Sequence, residues 1–403
     1  MSESGRQPSS RLMLLSFMVS SFSTQPPGLI TGLLLVDIGL TFGVQVGVSG
    51  QIRTMSSVVG FFTALLLGAV SVRVRSRTLL LAGLALQVVS AVGCFAAWDF
   101  TSMLVLYSLN GIAATMIMPM VSTLIGENFP QDRRSRILGW SAAGTSIAYL
   151  VCSPLVGFIS GFAGWRMAFL ALMLPISLLG LAVGLIGVPQ GGGDGGSAGA
   201  RGLTAGFRSV LSNRSAVSSL LGSMLTWASF SGSLTYSISF FREEFLLSLG
   251  WASLLLSAMA LSKTLGHLMI GSLVDRLGRK KATVASVAST ALFTALYLAS
   301  DLLWLSMALV CVSCVLAGFM HSSVDSLNLE QVQEFRSSMM SLSAAASTMG
   351  GVIGSGLGGV TLILYGYSGV GAVLGLLGIV SGVTYYVFVR EPLNDAQLRP
   401  RGL

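Results

Sequence analysis

Charge is scarce in this sequence. Asp, Glu, Lys and Arg together make up 9% of the 403 residues, whereas a soluble domain carries about 25%. Hydrophobic residues make up 53% of the chain, and a water-soluble fold of that composition would lack the polar groups needed to cover its surface. These proportions exclude an ordinary soluble enzyme or nucleic-acid-binding domain and place most of the chain in lipid.

Residues for metal or nucleophile chemistry are also few, with two His and four Cys. Cys94, Cys152, Cys311 and Cys314 all lie in apolar segments, and no acidic ligand accompanies them. We interpret them as small apolar packing residues. The sequence has no Gly-x-x-x-x-Gly-Lys-[Ser/Thr] loop, which argues against direct use of ATP. We expect no metal, no cofactor and no enzymatic activity.

Long apolar runs, by contrast, fill the chain. Each is about the 20 residues that cross a bilayer as a helix, and the runs are continuous rather than alternating, which favours helices over a barrel. They predict an all-α membrane protein with about twelve transmembrane helices. The runs lie near 12–36, 46–71, 79–97, 101–125, 137–160, 164–188, 214–240, 250–274, 282–300, 303–323, 337–363 and 367–389.

An internal repeat divides these runs into two groups of six. The segment beginning at Gly271 follows the one beginning at Gly68 by 203 residues, and Arg133 and Arg336 are separated by the same interval. Two anchors with one interval indicate two copies of a unit, as in transporters built from pseudo-symmetric repeats. We predict two six-helix bundles joined by a flexible glycine-rich linker on the cytoplasmic side: the N-terminal bundle at 1–189, the linker at 190–213 and the C-terminal bundle at 214–403.

Basic residues predict the orientation of the chain. With the N-terminus in the cytoplasm, nineteen of the 23 Lys and Arg residues fall in cytoplasmic loops and tails, and only Arg166 and Arg242 fall in outer loops. This bias predicts a multi-pass protein of the plasma (inner) membrane with both termini cytoplasmic. The net charge of +8 then faces anionic lipids of the inner leaflet. We expect a monomer that binds a small-molecule substrate and the bilayer, and no nucleic acid.

The loop after the eighth run resembles the signature of the major facilitator superfamily, Gly-x-x-x-Asp-Arg-x-Gly-Arg-[Arg/Lys]. The matching residues are Gly271, Asp275, Arg276, Gly278, Arg279 and Lys280. The N-terminal copy is degraded, with Val72 in place of the Asp and Arg75 in place of the second Gly. Arg133, Pro154 and Gly157 further resemble the twelve-helix drug and sugar efflux branch, which includes predicted arabinose efflux permeases. This resemblance implies a secondary transporter that works by alternating access, with these residues in gating roles.

Two further sets are gating candidates. Gly350, Gly354 and Gly358 lie on one face of helix 11 and allow close helix contact in lipid; they would form either a sliding joint between the halves or static packing. His321 and Asp325, one turn apart near the cytoplasmic end of helix 10, would form either a gate pair or a solvated helix end. One departure from the family concerns helix 4, where Tyr107 replaces the usual Arg.

Lys263 is the main substrate-binding candidate. It lies near the middle of helix 8, where a charge costs at least about 2.5–3.5 kcal/mol on insertion scales. His267 lies one turn further on the same face, and no Asp or Glu occupies the central part of any predicted helix. We predict that Lys263 faces a central cavity and holds an anionic substrate or group; a purely structural lysine is the alternative.

Arg53 is the second membrane-embedded cation and lies about two turns from the outer end of helix 2. It would bind substrate, guard the outer gate or reach the interface. Pro26 and Pro27 should bend helix 1. Polar and aromatic residues inside the predicted helices complete the set of substrate-binding candidates: Gln25, Asn110, Tyr149, Trp227 and Tyr236.

No Asp or Glu lies deep in a predicted helix, so the sequence does not determine the driving force for transport. If protons drive the protein, their carrier is an acid near a gate, His267, His321 or Lys263; otherwise the protein exchanges anions or works downhill. The sequence favours a secondary active transporter of a small organic solute, either an anion or an efflux substrate. The alternatives are a broad-specificity exporter of hydrophobic drugs and, more remotely, a polytopic sensor that does not transport.

Overall fold

The computed structural model describes residues 10–70, 74–189 and 206–390, and the regular structure in these ranges is helical. A single π-helical turn, Phe169–Met173, and a 3₁₀ turn, Gln333–Phe335, interrupt the α-helices. The α-helices are α1 Ser10–Ser23, α2 Pro26–Phe42, α3 Val46–Ser49, α4 Gln51–Val70, α5 Ser76–Ala96, α6 Phe100–Asn128, α7 Gln131–Ala163, α8 Trp165–Ala168, α9 Leu174–Gly187, α10 at 206–212, α11 Arg214–Glu244, α12 Leu249–Leu277, α13 Arg279–Leu298, α14 Leu303–Gln331 and α15 Arg336–Phe388.

These helices form twelve crossings arranged as two bundles of six. The first crossing is α1 with α2, the second is α3 with α4, and the sixth is α8, the π-helical turn and α9. Helix α15 has 53 residues, about 80 Å at 1.5 Å per residue, which is far more than a bilayer core of about 30 Å. It forms two crossings that divide at Gly366, where φ is 69°, a conformation that glycine adopts without strain.

Eight helical segments of the described chain are long and apolar enough to cross a membrane by length and composition. One of these, Ser338–Phe388, contains both crossings of α15. Helices α7, α11 and α12 are outside this set, although they pack in the same bundles. Helix α11 is the clearest case, because eight of its buried residues are Ser or Thr. Helices that face the interior of a transporter carry more polar groups than helices that face lipid.

The first crossing bends as the two prolines predict. Helix α1 ends at Ser23 and α2 begins at Pro26, because proline removes a backbone donor from the helical ladder. The hydroxyl of Tyr107 donates to the carbonyl oxygen of Pro27 at 3.1 Å and lies 3.0 Å from the Thr31 hydroxyl. Tyr107 therefore stabilises the bend from the neighbouring helix α6.

Each bundle has a close glycine contact between its second and fourth crossings. In the N-terminal bundle, a Cβ added to Gly60 of α4 would lie 3.1 Å from the carbonyl oxygen of Gly111 in α6. In the C-terminal bundle, a Cβ on Gly266 of α12 would lie 3.0 Å from the Cα of Gly318 in α14. In both bundles, the second and fourth crossings thus approach as closely as backbones allow.

The bundles meet near one membrane side, which we call the distal side: it carries the ends of α2, α5 and α11. The opposite side, which carries Ser10 and Arg390, is called the terminal side. On the distal side, a Cβ on Gly47 would lie 2.6 Å from the carbonyl oxygen of Gly359. Similarly, a Cβ on Gly157 would lie 2.5 Å from the Ser253 hydroxyl. Crossings 2 and 5 therefore contact crossings 11 and 8 across the two bundles.

The glycine face of α15 does not form the predicted sliding joint between the halves. A Cβ on Gly350 would meet Trp227, one on Gly354 would meet Ala228, and one on Gly358 would meet Tyr236. All three contacted residues lie on α11 in the same bundle, so this face provides packing within one half rather than a joint between halves. Two neighbouring glycines face the other bundle instead: Gly351 faces Ser57 as well as Ser231 of its own bundle, and Gly359 faces Gly47.

The predicted linker lies only partly within the described residues, which exclude 190–205. Its remaining part includes α10 at 206–212. Val210 is fully buried in a small cluster with Ala216, Leu220 and Met339. Helix α10 is therefore anchored to the terminal side of the C-terminal bundle by its apolar contacts.

Candidate functional site

A cavity of about 140 Å³ lies between the two bundles. Helix α7 contributes two of its lining residues, and α11, α12 and α14 of the C-terminal bundle contribute the other nine. Most of the wall is apolar, with a few polar side chains, as in many small-molecule sites. The lining residues are Thr145, Tyr149, Phe230, Leu234, Leu256, Met259, Ala260, Lys263, Thr264, His267 and Cys314.

Helical periodicity explains the largest part of this wall. Leu256, Met259, Ala260, Lys263, Thr264 and His267 follow one another at steps of three, one, three, one and three along α12. Such spacing places side chains on one face of a helix. Once Lys263 is assigned to the cavity, its neighbours on this wall follow from the sequence. The contributions of α7, α11 and α14 depend on the packing of the bundles.

Lys263 provides the positive charge of the cavity wall. Its Nζ atom lies 4.7 Å from the ring centroid of Phe230, within the range of a cation–π interaction. Within the described residues, its ammonium group has no hydrogen bond and no ion pair. Cys314 and Asp325 are close enough to act on it electrostatically. A charged group held this way in a cavity is available to an anion.

Aromatic rings extend the site from Lys263 towards the terminal side. His321 packs between Trp227 and Phe230, with ring centroids 4.4 and 4.9 Å away. The ring of His267 stacks at 5.9 Å from that of His321, and its Nδ1 lies 2.8 Å from the Ser322 hydroxyl. Trp227 therefore supports the site through His321 and does not itself line the cavity.

His321 and Asp325 do not form a hydrogen-bonded pair in the structure. His321 is buried, and both of its ring nitrogens lack a hydrogen-bond partner among the described residues. Asp325 is exposed. The expectation of a solvated helix end is therefore wrong for His321, because aromatic rings enclose it.

Arg53 lies apart from the residues that line the cavity. A Cβ on Gly32 of α2 would lie 3.4 Å from Nη1 of Arg53. Its charge acts electrostatically on Tyr107, Tyr149 and Tyr236. Of these, Tyr149 also lines the cavity, so it connects the surroundings of Arg53 with those of Lys263.

Three predicted substrate ligands have local partners elsewhere. Asn110 donates to the Ser90 hydroxyl at 2.7 Å at the contact of α5 and α6. Gln25 donates to the Thr24 hydroxyl at 2.7 Å, next to the bend of the first crossing. Tyr236 is fully buried and donates to the carbonyl oxygen of Ser355 at 2.8 Å. Asn110 and Tyr236 thus stabilise helix contacts, Gln25 bonds to its neighbour in the chain, and the structure does not place these three residues in the cavity.

The signature loop is described in part. The side chains of Gly271, Asp275 and Arg276 fall outside the described residues, as do 71–73 of the N-terminal copy. Gly278 connects α12 to α13 with φ 78°, a conformation that explains the glycine. Arg279 forms an ion pair with Glu330 at the end of α14. This pair links the signature loop to the tenth crossing on the terminal side.

Two other gating candidates occupy helix α7. Arg133 is exposed in its first turn, and Pro154 lies inside the helix. Pro154 is one turn from Gly157, which contacts Ser253 across the bundles. The proline and the glycine therefore fall where α7 approaches the other bundle.

Sequence reasoning missed an ion pair that joins the bundles on the distal side. Arg242 of α11 binds both carboxylate oxygens of Asp37 in α2, with Nη2 to Oδ1 at 3.0 Å. Its Nη1 also donates to the carbonyl oxygen of Leu33 at 3.2 Å. Asp37 and Arg242 carry opposite charges, and each lies at the outer end of a predicted helix. This was the signal in the sequence that could have suggested the pair. Their partnership depended on the docking of the halves.

The twelve crossings, the paired bundles and the cavity between them define a polytopic membrane transporter. A model of the Major Facilitator Superfamily matches residues 12–334 and, in a second match, residues 221–402. The chain belongs to the Major Facilitator Superfamily. As a member of this transporter family, it is a transport protein rather than an enzyme.

Curated relatives match part of the chain. It is 27% identical over 158 residues to an uncharacterized MFS-type transporter, YwfA, of Bacillus subtilis (strain 168), covering 39% of this chain and 38% of that protein. It is 29% identical over 175 residues to a probable sugar efflux transporter of Pasteurella multocida (strain Pm70), covering 43% of this chain and 41% of that protein. The matches thus span about two fifths of each relative.

Solved structures match the fold over nearly the whole chain. The nucleoside transporter NupG has a TM-score of 0.76 at 15% identity and covers 93% of this chain and 98% of its own. A bacterial homolog of the human lysosomal transporter Spinster, in an inward-facing and occupied conformation, has a TM-score of 0.69 at 13% identity, with coverages of 94% and 95%. At these identities the likeness concerns the fold alone.

Proposed function

We propose that this protein is a secondary transporter of a small organic anion that works by alternating access. The observation that carries the proposal is Lys263, an ammonium group without a hydrogen bond or ion pair among the described residues, in a cavity between two bundles. A membrane-embedded charge is costly without a function. An anionic solute bound there would supply the missing counter-charge.

The contacts between the bundles support alternating access. The ion pair of Asp37 with Arg242 and the contact of Gly47 with Gly359 lie on the distal side. Phe230, on the cavity wall, is twelve residues from Arg242 along α11, or about 18 Å. The contacts close the distal side above the cavity. Substrate would exchange through the terminal side in this state and through the distal side after these contacts separate.

The orientation of the protein is part of this proposal. The concentration of Lys and Arg on the terminal side favours a cytoplasmic location for that side and for both termini. The structure would then correspond to an inward-facing state. Export as the direction is favoured by the relative described as a probable sugar efflux transporter and by the resemblance of Arg133, Pro154 and Gly157 to the efflux branch.

Ligand-dependent thermal unfolding of the purified protein tests the anion site. A ligand that binds the folded state stabilises it by RT ln(1 + [L]/Kd), about 2.7 kcal/mol at a hundredfold excess over Kd. We expect an anionic solute from a panel of anions, neutral solutes and cations to raise the Tm of the wild type. Lys263→Met should remove this shift, because methionine is unbranched and only one atom shorter than lysine but carries no charge.

Lys281→Met is the matched control, because it makes the same chemical change outside the cavity. Lys281 is exposed at the start of α13. This variant should retain the Tm shift. An anion-dependent shift that survives in Lys263→Met would contradict the proposed site.

A broad exporter of hydrophobic drugs is the second candidate. It is favoured by the apolar wall that Phe230, Leu234, Leu256 and Met259 form, since apolar side chains, methionine above all, adapt to ligands of different shape. In that case, apolar or cationic compounds would raise the Tm equally in the wild type and in Lys263→Met.

A further inference from the structure

We infer that the solute for this cavity is a compact monocarboxylate with an apolar body about the size of one six-membered ring. The inference rests on the proposed function, because it takes the same cavity as the substrate site. It adds three properties: the size of the solute, the apolar character of its body and its single negative charge.

The volume of the cavity sets the size. About 140 Å³ are available between the bundles. An engineered protein cavity of about 150 Å³ lined by aliphatic and aromatic side chains holds one benzene molecule. A single ring therefore fits the space that these residues enclose. A fused bicyclic body or a disaccharide would extend beyond them towards the terminal side.

The wall chemistry sets the character of the body. Five lining residues are apolar: Phe230, Leu234, Leu256, Met259 and Ala260. Of the polar ones, Thr264 already donates its hydroxyl to the carbonyl oxygen of Ala260 at 2.9 Å. A neutral polyol would place some of its hydroxyl groups against these five side chains, and each hydroxyl left unsatisfied there costs about 1–3 kcal/mol. An apolar ring loses no hydrogen bonds there and gains burial.

Aromatic side chains face the cavity from both bundles. Tyr149 comes from α7 and Phe230 from α11, and aromatic rings favour edge or offset contact with another ring. A solute with a planar body would contact both of them. Its binding would therefore depend on how the two bundles stand to one another, as transport requires.

The surrounding charges limit the solute to one negative charge. Lys263 supplies the cationic end of the cavity, where a carboxylate would lie beside its ammonium group. His267 and Cys314 also line the cavity, and His321 packs behind His267. Among the residues that line the cavity, Lys263 is the one Lys or Arg. A dicarboxylate would thus bury a second charge without a cationic partner, which is costly.

Binding of four related solutes to the full-length protein in detergent tests each property separately. Benzoate is the reference monocarboxylate, benzamide is its neutral equivalent, phthalate carries a second carboxylate, and 2-naphthoate has a larger body. Titration calorimetry would give their Kd values for the wild type, Lys263→Met and the control Lys281→Met. Comparing ligands on the wild type does not depend on how well any variant folds.

We expect benzoate to bind the wild type and Lys281→Met with equal Kd, and to bind Lys263→Met about tenfold more weakly or worse. On the wild type, benzamide, phthalate and 2-naphthoate should each bind about tenfold more weakly than benzoate or worse. This pattern would support a compact monocarboxylate as the solute.

Two failures are distinguishable. If phthalate or 2-naphthoate binds as tightly as benzoate and its binding still requires Lys263, the anion site stands and the inference on size or charge is overturned. If neither the acids nor other anions bind, or if they bind Lys263→Met as well as the wild type, the proposed function fails together with the inference.

Discussion

The N-terminal bundle contributes Thr145 and Tyr149 to the cavity, whereas the C-terminal bundle contributes the ammonium group of Lys263, the ring of His267 and most of the apolar wall. By the interval of 203 residues, the position that matches Lys263 is Gly60 in the N-terminal bundle. Gly60 packs on Gly111 and Thr115 of α6. One position of the repeat thus serves helix packing in one bundle and provides a charge on the cavity wall in the other.

The two bundles also differ in their signature motifs on the terminal side. The complete signature motif lies in the C-terminal bundle, where Arg279 pairs with Glu330. The N-terminal copy has Val72 and Arg75 at two of the motif positions. The C-terminal bundle thus provides the cavity's charge and the complete motif, whereas the N-terminal bundle provides two lining residues and contacts with the other bundle at Gly47 and Gly157.

Glycine substitutions should distinguish packing within a bundle from docking between bundles. We expect the largest loss of stability from a substitution within a bundle. Gly354→Val would force a side chain against the backbone of Ala228 in the same bundle. Overpacking of this kind costs about 1–3 kcal/mol or more, so we expect a large fall in Tm and in folded yield. Thermal unfolding in detergent measures this loss.

Gly47→Val is the matched change at the docking surface. Its added atoms would meet Gly359 and Ile363 of the other bundle, and separation of the bundles on the distal side relieves that clash. We expect a smaller fall in Tm together with a longer distance between spin labels at the exposed positions Leu40 and Leu302. Equal falls in Tm for both variants, with no change in label distance, would contradict this distinction.

The ion pair between the bundles should have the next largest effect. Arg242→Gln removes the partner of Asp37, whose side chain is 30% exposed, while that of Arg242 is 13% exposed. Allowing for this exposure, we expect the distal-closed state to lose about 1–2 kcal/mol, a population shift of about 5- to 30-fold. Distance distributions between the labels at Leu40 and Leu302 would report the shift.

The exchanged pair Asp37→Arg with Arg242→Asp serves as the control for charge complementarity. It should restore part of the closed population. If the exchanged pair opens the distal side as far as Arg242→Gln does, the effect arises from packing or from the lost bond to Leu33 rather than from the ion pair.

Substitution of a helix cap outside the membrane should give the smallest change in stability. The pH dependence of that change should arise in one bundle only. Asp99 begins α6 with a capping box, and hydrogen bonds from the side chain and backbone N–H of Ser102 lower the pKa of Asp99 below its usual 3.8. At the matching position, Leu302 begins α14 without a side-chain cap. The repeat therefore caps the fourth crossing and leaves the tenth uncapped.

Because the pKa of Asp99 is lower in the folded state, its contribution to stability is present above the unfolded-state pKa. The contribution is lost as the pH falls through the folded-state pKa. Asp99→Asn keeps a capping side chain and removes the titration. The Tm difference between wild type and Asp99→Asn should therefore shrink between pH 6 and pH 3. A constant difference over this range would exclude a role for the carboxylate charge.

The sequence predicted several particular features because each depends on local or periodic properties. Apolar runs predicted the crossings, and Pro26 with Pro27 predicted the break between α1 and α2. The interval of 203 residues predicted two related bundles. The stripe of α12 around Lys263 is also periodic, so most of one cavity wall is determined by the sequence and by the geometry of a helix.

Other features were decided only by the tertiary structure. The glycines Gly350, Gly354 and Gly358 are small on any helix, but docking against α11 determined that they pack within one bundle. Asn110 and Tyr236 are polar on any helix, but neighbouring crossings supply their partners. The Asp37–Arg242 pair joins residues 205 apart. Sequence spacing fixes the face of a helix on which a residue lies, whereas the packing of whole bundles decides what that face meets.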